Sequence, residues 1–511
     1  MRTPPDTATD AAAPMAVEHL IIGSGFGGLC TAIKLQEGGE GDFVILERAD
    51  SLGGTWRDND YPGCACDVTS VLYSLSFAQK ADWSRKYPDR QEIYDYLKEV
   101  ARDFGLMPRI RFHHDVRHCE YNTAENRWRV ETNQGAFSAR YLTSATGGLS
   151  EPAYPDIPGL DTFDGPSFHS ARWNHAVDLR GKRVAVIGTG ASAIQVVPAI
   201  APAAAHLTLF QRTPAWIVPR RDRPIRGWEK TLRRTPLRWI PRAWTYWTAE
   251  ISASFLAYWP AVLKRLEPLV LRHLKRQVTD PELREKLTPD YRMGCKRIIP
   301  SDDYYPALTR GNVTVETGRI QRVTAEGVVT EDGTLHEVDA LVLCTGFRAT
   351  DNPWAARVRG RAGETLEEVW QDSQEAHLGT LVHGFPNFFL IAGPNTGIGH
   401  TSFVFMIECQ VRYIMACLRH ARRTGLETIE VRKEVQDTFN ERLQRRMKRT
   451  VWASGCKSWY MNAQGKVTVP WPGFTFLFWW KTRTVDPADF VQPAGQPEHT
   501  PGRNPETVVA E

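Results

Sequence analysis

The chain has 511 residues, a formal net charge of +4 and 42% hydrophobic residues. That length allows two or three domains around a large core, and the near-neutral balance, without a basic tail or a recognition motif, argues against a general nucleic-acid binder. Nine cysteines, at 30, 64, 66, 119, 295, 344, 409, 417 and 456, are spaced neither as a disulfide framework nor as a zinc set. Cys64-Ala65-Cys66 is too tight for a redox pair, which argues against a disulfide reductase. A reducing, cytoplasmic setting fits this usage.

Residues 1–16 are Ala, Thr, Pro and Asp without an apolar run, and are expected to be a mobile tail rather than a signal peptide. The apolar stretch 20–22 reads as a strand that enters the turn Gly23-Ser24-Gly25-Phe26-Gly27-Gly28. A helix-like segment, 29–36, and a second apolar strand, Phe43–Leu46, follow. Residues 89–104 carry Ile93, Tyr96, Leu97, Val100 and Phe104 at helical spacing behind Asp89, a candidate cap. Residues 140–147 read as a strand running into a turn, and Pro152, Pro155 and Pro158 mark a linker.

The pattern then repeats. A strand at 184–187 enters Gly188-Thr189-Gly190-Ala191-Ser192-Ala193, a helical stretch covers 194–200, and a strand covers 207–210. Each glycine turn reads as a strand-to-helix crossing that seats a pyrophosphate on a helix N-terminus. Glu47 stands 24 positions after Gly23, and Arg212 stands 24 after Gly188. A carboxylate at that place accepts hydrogen bonds from free ribose hydroxyls, whereas an arginine suits a 2′-phosphate. FAD and NADPH are the natural pair for such seats.

The expected fold class is therefore α/β, with two Rossmann-like dinucleotide-binding domains and a helical insertion. Residues 17–150 and 384–486 are expected to form a discontinuous FAD domain, and 151–221 and 291–383 the NADP domain. The insertion, 222–290, interleaves Trp228, Trp239, Trp244, Trp247 and Trp259 with arginines. Its most apolar window, 243–263, has Glu250 as its one acid before Leu263. Length admits a spanning helix, but Pro260, Glu250 and the polar flanks weigh against it. The preferred reading is a helical cover over the active site that admits an apolar substrate; membrane contact ranks behind it. The end, 487–511, is rich in Pro, Glu and Thr and is expected to be disordered.

Three further segments carry a family resemblance. The first holds Gly53, Gly54, Trp56, Tyr61, Pro62, Gly63 and Asp67. The second is Phe163, Gly165, His169 and Trp173, followed by Asn174. The third is Gly393 through His400. In these the chain resembles the type I Baeyer–Villiger monooxygenases, within the flavin-containing monooxygenase group. It departs at Asn174, where the family carries Pro or Asp.

The resemblance implies an enzyme that uses FAD, NADPH and O2 to turn a small apolar ketone into an ester or lactone through a C4a-peroxyflavin. The alternatives are oxygenation of sulfur or nitrogen, and an NADPH oxidase that makes no oxygenated product. It also implies roles. Arg297 is the catalytic arginine, and Asp67 orients it. Lys296, Arg212 and Thr213 hold the 2′-phosphate. His169 positions domains and nicotinamide. Thr55, Trp56 and Tyr73 lie on the flavin side, and Val116 meets the adenine through its backbone.

Overall fold

The computed structural model describes residues 13–456 and 458–492. Its first sheet takes Met15–Ile22 at the centre, with Phe43–Leu46 on one side and Gly135–Ser144 on the other, all parallel. Parallel strands joined by the helix Phe26–Glu37 bury both faces, which is why these strands read as unbroken apolar runs. The helix Arg90–Asp103 starts where expected, with the Asp89 carboxylate accepting the Glu92 N–H at 2.8 Å. Beyond Gly135–Ser144 the sheet turns antiparallel through Arg127–Thr132 and Val116–Asn122.

The second sheet is wholly parallel. Its order is Val313–Glu316, His206–Phe210, Arg183–Ile187, Ala340–Leu343 and Ser167–His169. The helix Ala191–Ile200 follows its glycine turn. A small antiparallel sheet, Ile320–Thr324, Gly327–Thr330 and Leu335–Glu337, caps one side of it.

Four expectations need correction. The chain returns to the first sheet well before residue 384. Val358 and Arg359 pair with Cys119 and Glu120, and Ala355, Val358 and Leu366 share a core with Trp128. A two-residue strand shows no alternation to read. The expected tail, 1–16, lies mostly outside the described residues, but Met15 and Ala16 already pair with Phe137 and Ser138. The expected tail 487–511, of which 493–511 lies outside the described residues, starts too early, since Phe490 is buried and stacks on His420, and the Val491 N–H donates to the Glu430 carbonyl. One apolar ring anchors a polar segment there. Lastly, Cys295 and Cys456 form a disulfide across 161 positions, with Cα atoms 6.2 Å apart. Only the tertiary fold brings that pair together, so spacing could not reveal it.

The insertion is helical, as expected, in the segments Gly227–Arg233, Trp239–Tyr258, Pro260–Gln277 and Pro281–Lys286. The apolar window breaks between the second and third of these. Among the described residues no helix is long and apolar enough to cross a membrane.

Candidate active site

The two glycine turns divide their glycines by task. Gly23 and Gly188 have φ of +102° and +115°, where a Cβ would come within 2.6 Å of the Ala145 carbonyl and 2.3 Å of the Cys344 carbonyl. Gly28 packs so tightly that a Cβ would stand 1.8 Å from the Gly23 carbonyl oxygen. Ala193, at the matching place in the second turn, is buried. These positions serve the backbone. Gly25 and Gly190 do not need to be glycine on that account. Their φ values are −81° and −79°, and a Cβ on Gly190 would meet nothing within 4 Å. Both face a cavity at a helix N-terminus, with Phe26 and Ser192 beside them. A seat that is open and yet kept free of Cβ fits a closely approaching phosphate. Gly190→Ala is therefore expected to leave the melting temperature of the ligand-free chain unchanged or slightly higher, while weakening dinucleotide binding by about tenfold or more. Calorimetry and a binding titration check the two halves separately.

The ends of the following strands carry the charges. Glu47 is buried, and its Oε2 accepts from Ser24 N at 3.1 Å and Ser24 Oγ at 2.6 Å. Its Oε1 lies 2.8 Å from Arg57 Nη1 and accepts from Ala49 N at 3.1 Å. Burial pushes this carboxyl up, but Arg57 and the Ser24 and Ala49 donors outweigh it and hold the pKa below the usual carboxylate range. Arg57 lies inside the segment 53–67 that sequence reading singled out, yet its partner had no local signal. At the second seat Arg212 is exposed, and Lys296 Nζ lies 4.7 Å over the Tyr291 ring. Burial lowers the Lys296 pKa, and the nearby Arg212 charge lowers it further. Two cations that repel one another make a site suited to a dianionic phosphate. Thr189 Oγ1 donates to the Thr213 carbonyl at 2.6 Å and fixes the turn beside Arg212.

Both seats open into one cavity of about 2050 Å³. Its lining includes Gly23, Gly25, Glu47, Thr55, Val116, Gly188, Arg212 and Lys296. Arg297 and Asp67 meet in it from opposite domains. Arg297 Nε and Nη2 both donate to Asp67 Oδ2, at 2.9 and 2.6 Å. Asp67 raises the guanidinium pKa above its already high ordinary value, so the charge is permanent. Sequence reading missed Tyr460, which also lines the cavity; burial raises its hydroxyl pKa while the Arg297 charge opposes that rise. The Cys295–Cys456 disulfide ties the loop of Arg297 to the segment that carries Tyr460.

The stretch from Tyr61 to Asp67 docks one domain on the other. Tyr61 Oη bonds Gln195 Oε1 at 3.0 Å, and Gln195 Nε2 donates to the Ala65 carbonyl at 2.8 Å. Gly63 has φ +82°, and a Cβ there would strike the Gln195 carbonyl at 2.6 Å. That close approach explains the glycine of the motif. Trp56 Nε1 donates to Tyr73 Oη at 3.1 Å, and both rings border the cavity. Val116 opens a strand at the cavity edge, its carbonyl held by Arg357 Nη1 at 2.7 Å.

His169 is placed differently from the other candidates. It is wholly buried and does not line the cavity. Its ring lies 5.6 Å from Tyr154 and 5.8 Å from Phe347, which do line it. Its Nδ1 accepts from Ala171 N at 3.1 Å. Burial, with Arg172 adding to it and the Gly346 backbone opposing, lowers its pKa from 6.5 to about 4. The folded chain then binds fewer protons here than the unfolded chain between those values. The stability tied to this group is complete above pH 6.5 and is lost as the pH falls toward 4. His169→Gln is expected to flatten that part of the melting-temperature profile. Nearby, Asn174 Oδ1 accepts the Ala176 N–H at 3.1 Å. An aspartate would cap this turn with the same acceptor, so the departure at 174 is conservative in its local role.

Fold and cavity together define a two-dinucleotide oxidoreductase. The profile of the Pyridine nucleotide-disulphide oxidoreductase family matches residues 20–230. A protein from Streptomyces coelicolor named Baeyer-Villiger monooxygenase is 49% identical over 483 residues, 93% of this chain and 92% of its own length. Among solved structures, cyclohexanone monooxygenase from Rhodococcus sp. Phi1 bound to NADP+ superposes with a TM-score of 0.84 at 30% identity, covering 92% of this chain and 97% of its own. A complex of OTEMO with FAD and NADP superposes at 0.83 with 26% identity and the same coverage. The chain belongs to the Baeyer–Villiger monooxygenases.

Proposed function

We propose that this chain takes FAD and NADPH and inserts one oxygen atom of O2 beside a ketone carbonyl, giving an ester or lactone, NADP+ and water. The observation that carries the reading is Arg297, held by Asp67 in a cavity onto which two dinucleotide seats of opposite strand-end charge both open. The turn Gly23–Gly28 with Glu47 would hold FAD, and its ribose would compete with Ser24 Oγ for the carboxylate. Gly188 through Ala193, with Arg212, Thr213 and Lys296, would hold NADPH. When bound, the flavin supplies the activation of O2 with electrons from NADPH.

The rest is the work of side chains. Arg297 places a fixed positive charge where negative charge develops on the transferred oxygen and then on the former carbonyl oxygen. Asp67 fixes the plane of that guanidinium by binding it through two N–H groups. Trp56 and Tyr73 on one side, with Phe403, Val404 and Ile407 on another, give apolar wall that excludes water and suits an apolar ketone. His169 does not line the cavity and would act through Tyr154 and Phe347, which do. The proposed compartment is the cytoplasm; seven buried cysteines remain thiols, with the Cys295–Cys456 disulfide the exception.

Feeding one ketone and one sulfide with NADPH, and identifying the products, tests the reading. Ester from the ketone is the expected outcome. Sulfoxide alone, or hydrogen peroxide equal to the NADPH consumed with either substrate, would contradict it.

A further inference from the structure

From Trp239 to Ile251 the helix Trp239–Tyr258 turns polar groups inward and leaves aromatic side chains exposed, the reverse of a helix that covers a core. On its inner side Arg242 donates to the Val71 and Ser74 carbonyls at 2.8 and 3.1 Å. Tyr246 Oη bonds Thr475 Oγ1 at 2.9 Å. Glu250 is wholly buried, where it accepts from Thr475 Oγ1 at 2.8 Å and from the Thr475 N–H, and lies 3.2 Å from His400 Nε2. The outer side carries Ile240, Trp244, Trp247 and Ile251, which share one stripe at helical spacing and are all exposed. Trp244 is 74% exposed, and Trp239, just off the stripe, is 59% exposed. The stripe continues across a chain crossing. Trp247 packs against Phe476 at 5.7 Å, and Trp480, one turn further along that helix, is 64% exposed.

The charge around this stripe is one-sided. Residues 226–276 hold eleven Lys and Arg, of which Arg242 is turned inward, against three Glu, although the whole chain carries only +4. The three acids are all engaged inward. Glu229 pairs with Arg223 at 2.7 Å, Glu250 is buried, and Glu267 accepts the Met293 N–H at 3.1 Å. Arg226, Arg234 and Arg238 are exposed beside Trp228 and Trp239. Among the described residues none from 222 to 290 lines the cavity, so the aromatic stripe is not a wall of the reaction site.

We propose that this face of the insertion docks on an anionic lipid bilayer, with the helix lying in the interface. Tryptophans suit the boundary between headgroups and acyl chains, and guanidinium groups suit lipid phosphates. A second copy of the chain is a poorer occupant, because a self-complementary contact would set the same cationic excess against itself. The docking is independent of the reaction proposed above.

Co-sedimentation of the FAD-loaded full chain with vesicles tests it. Vesicles containing phosphatidylglycerol are expected to bind at least about tenfold more protein than pure phosphatidylcholine, and less as salt rises. Trp239→Ser with Trp244→Ser, and separately Arg234→Glu with Arg238→Glu, are each expected to cut binding at least about tenfold while NADPH consumption stays unchanged. Brominated lipids should quench tryptophan emission of the unaltered chain, a readout that needs no substitution. The proposal is overturned if the unaltered chain stays in the supernatant with anionic vesicles, or if both variants bind as it does. It is equally overturned if the tryptophan pair disperses a dimer that ignores vesicles, or if a protein partner alone occupies the face.

Discussion

Arg297→Ala is expected to consume NADPH and release no ester. Arg297 sits in the cavity with its charge fixed by Asp67, at 2.6 and 2.9 Å, and belongs to neither glycine turn. Removing it leaves both dinucleotide seats in place. Hydride transfer between the cofactors should persist, while the oxygen step loses the cation that meets developing negative charge. Loss of one such stabiliser costs on the order of 10²–10³ in rate. Product formation should fall by at least that much, with reducing equivalents appearing as hydrogen peroxide. Arg297→Lys should recover only part of the activity, because an ammonium keeps the charge but not the planar fork that Asp67 binds. Asp67→Asn should resemble the lysine variant, since it misplaces the arginine without removing it. Ester yield from Arg297→Ala close to that of the unaltered chain would refute the role.

Arg212→Glu is expected to weaken NADPH far more than NADH. The two nucleotides differ only in the 2′-phosphate, and Arg212 and Lys296 are the cations close enough to act on one another at that strand end. A charge reversal removes one phosphate contact and adds a repulsion, so about 100-fold weaker NADPH binding, or about 2.7 kcal/mol, is a reasonable scale. NADH should change by only a few fold. Lys296→Ala should shift the ratio in the same direction but less, because Arg212 remains. Measuring both dissociation constants at low and high salt separates the contact from general electrostatics, since a phosphate contact weakens as salt rises. Equal losses for both cofactors would remove the assignment.

What the sequence revealed was mostly local. The strand Phe43–Leu46 falls on the residues expected, as does the helix behind Asp89, because apolar periodicity and a capping carboxylate act within a few positions. The glycine turns were legible for the same reason, although only the packing around them shows that Gly23, Gly28 and Gly188 are required by the backbone while a Cβ on Gly190 would meet nothing. The rest depends on distant partners. Arg57 on Glu47, Gln195 on Tyr61, Tyr460 beside Arg297 and the Cys295–Cys456 link each join segments that spacing does not relate. The burial of His169 behind Tyr154 and Phe347, away from the cavity lining, is likewise a fact of packing that no local pattern carries. The insertion was legible as helical and aromatic. That its aromatic face would point outward was not, because Arg242, Tyr246 and Glu250 find polar partners in segments far along the chain.

The most direct test is a stepwise reaction of the purified chain loaded with FAD. Without air, NADPH should bleach the yellow colour, and admitting isotopically labelled O2 with a cyclic ketone should restore it while one labelled oxygen atom appears in the lactone for each NADPH consumed. A chain that stays colourless with excess FAD, or one that is bleached and recovers while all the label ends in peroxide and water, would contradict the account.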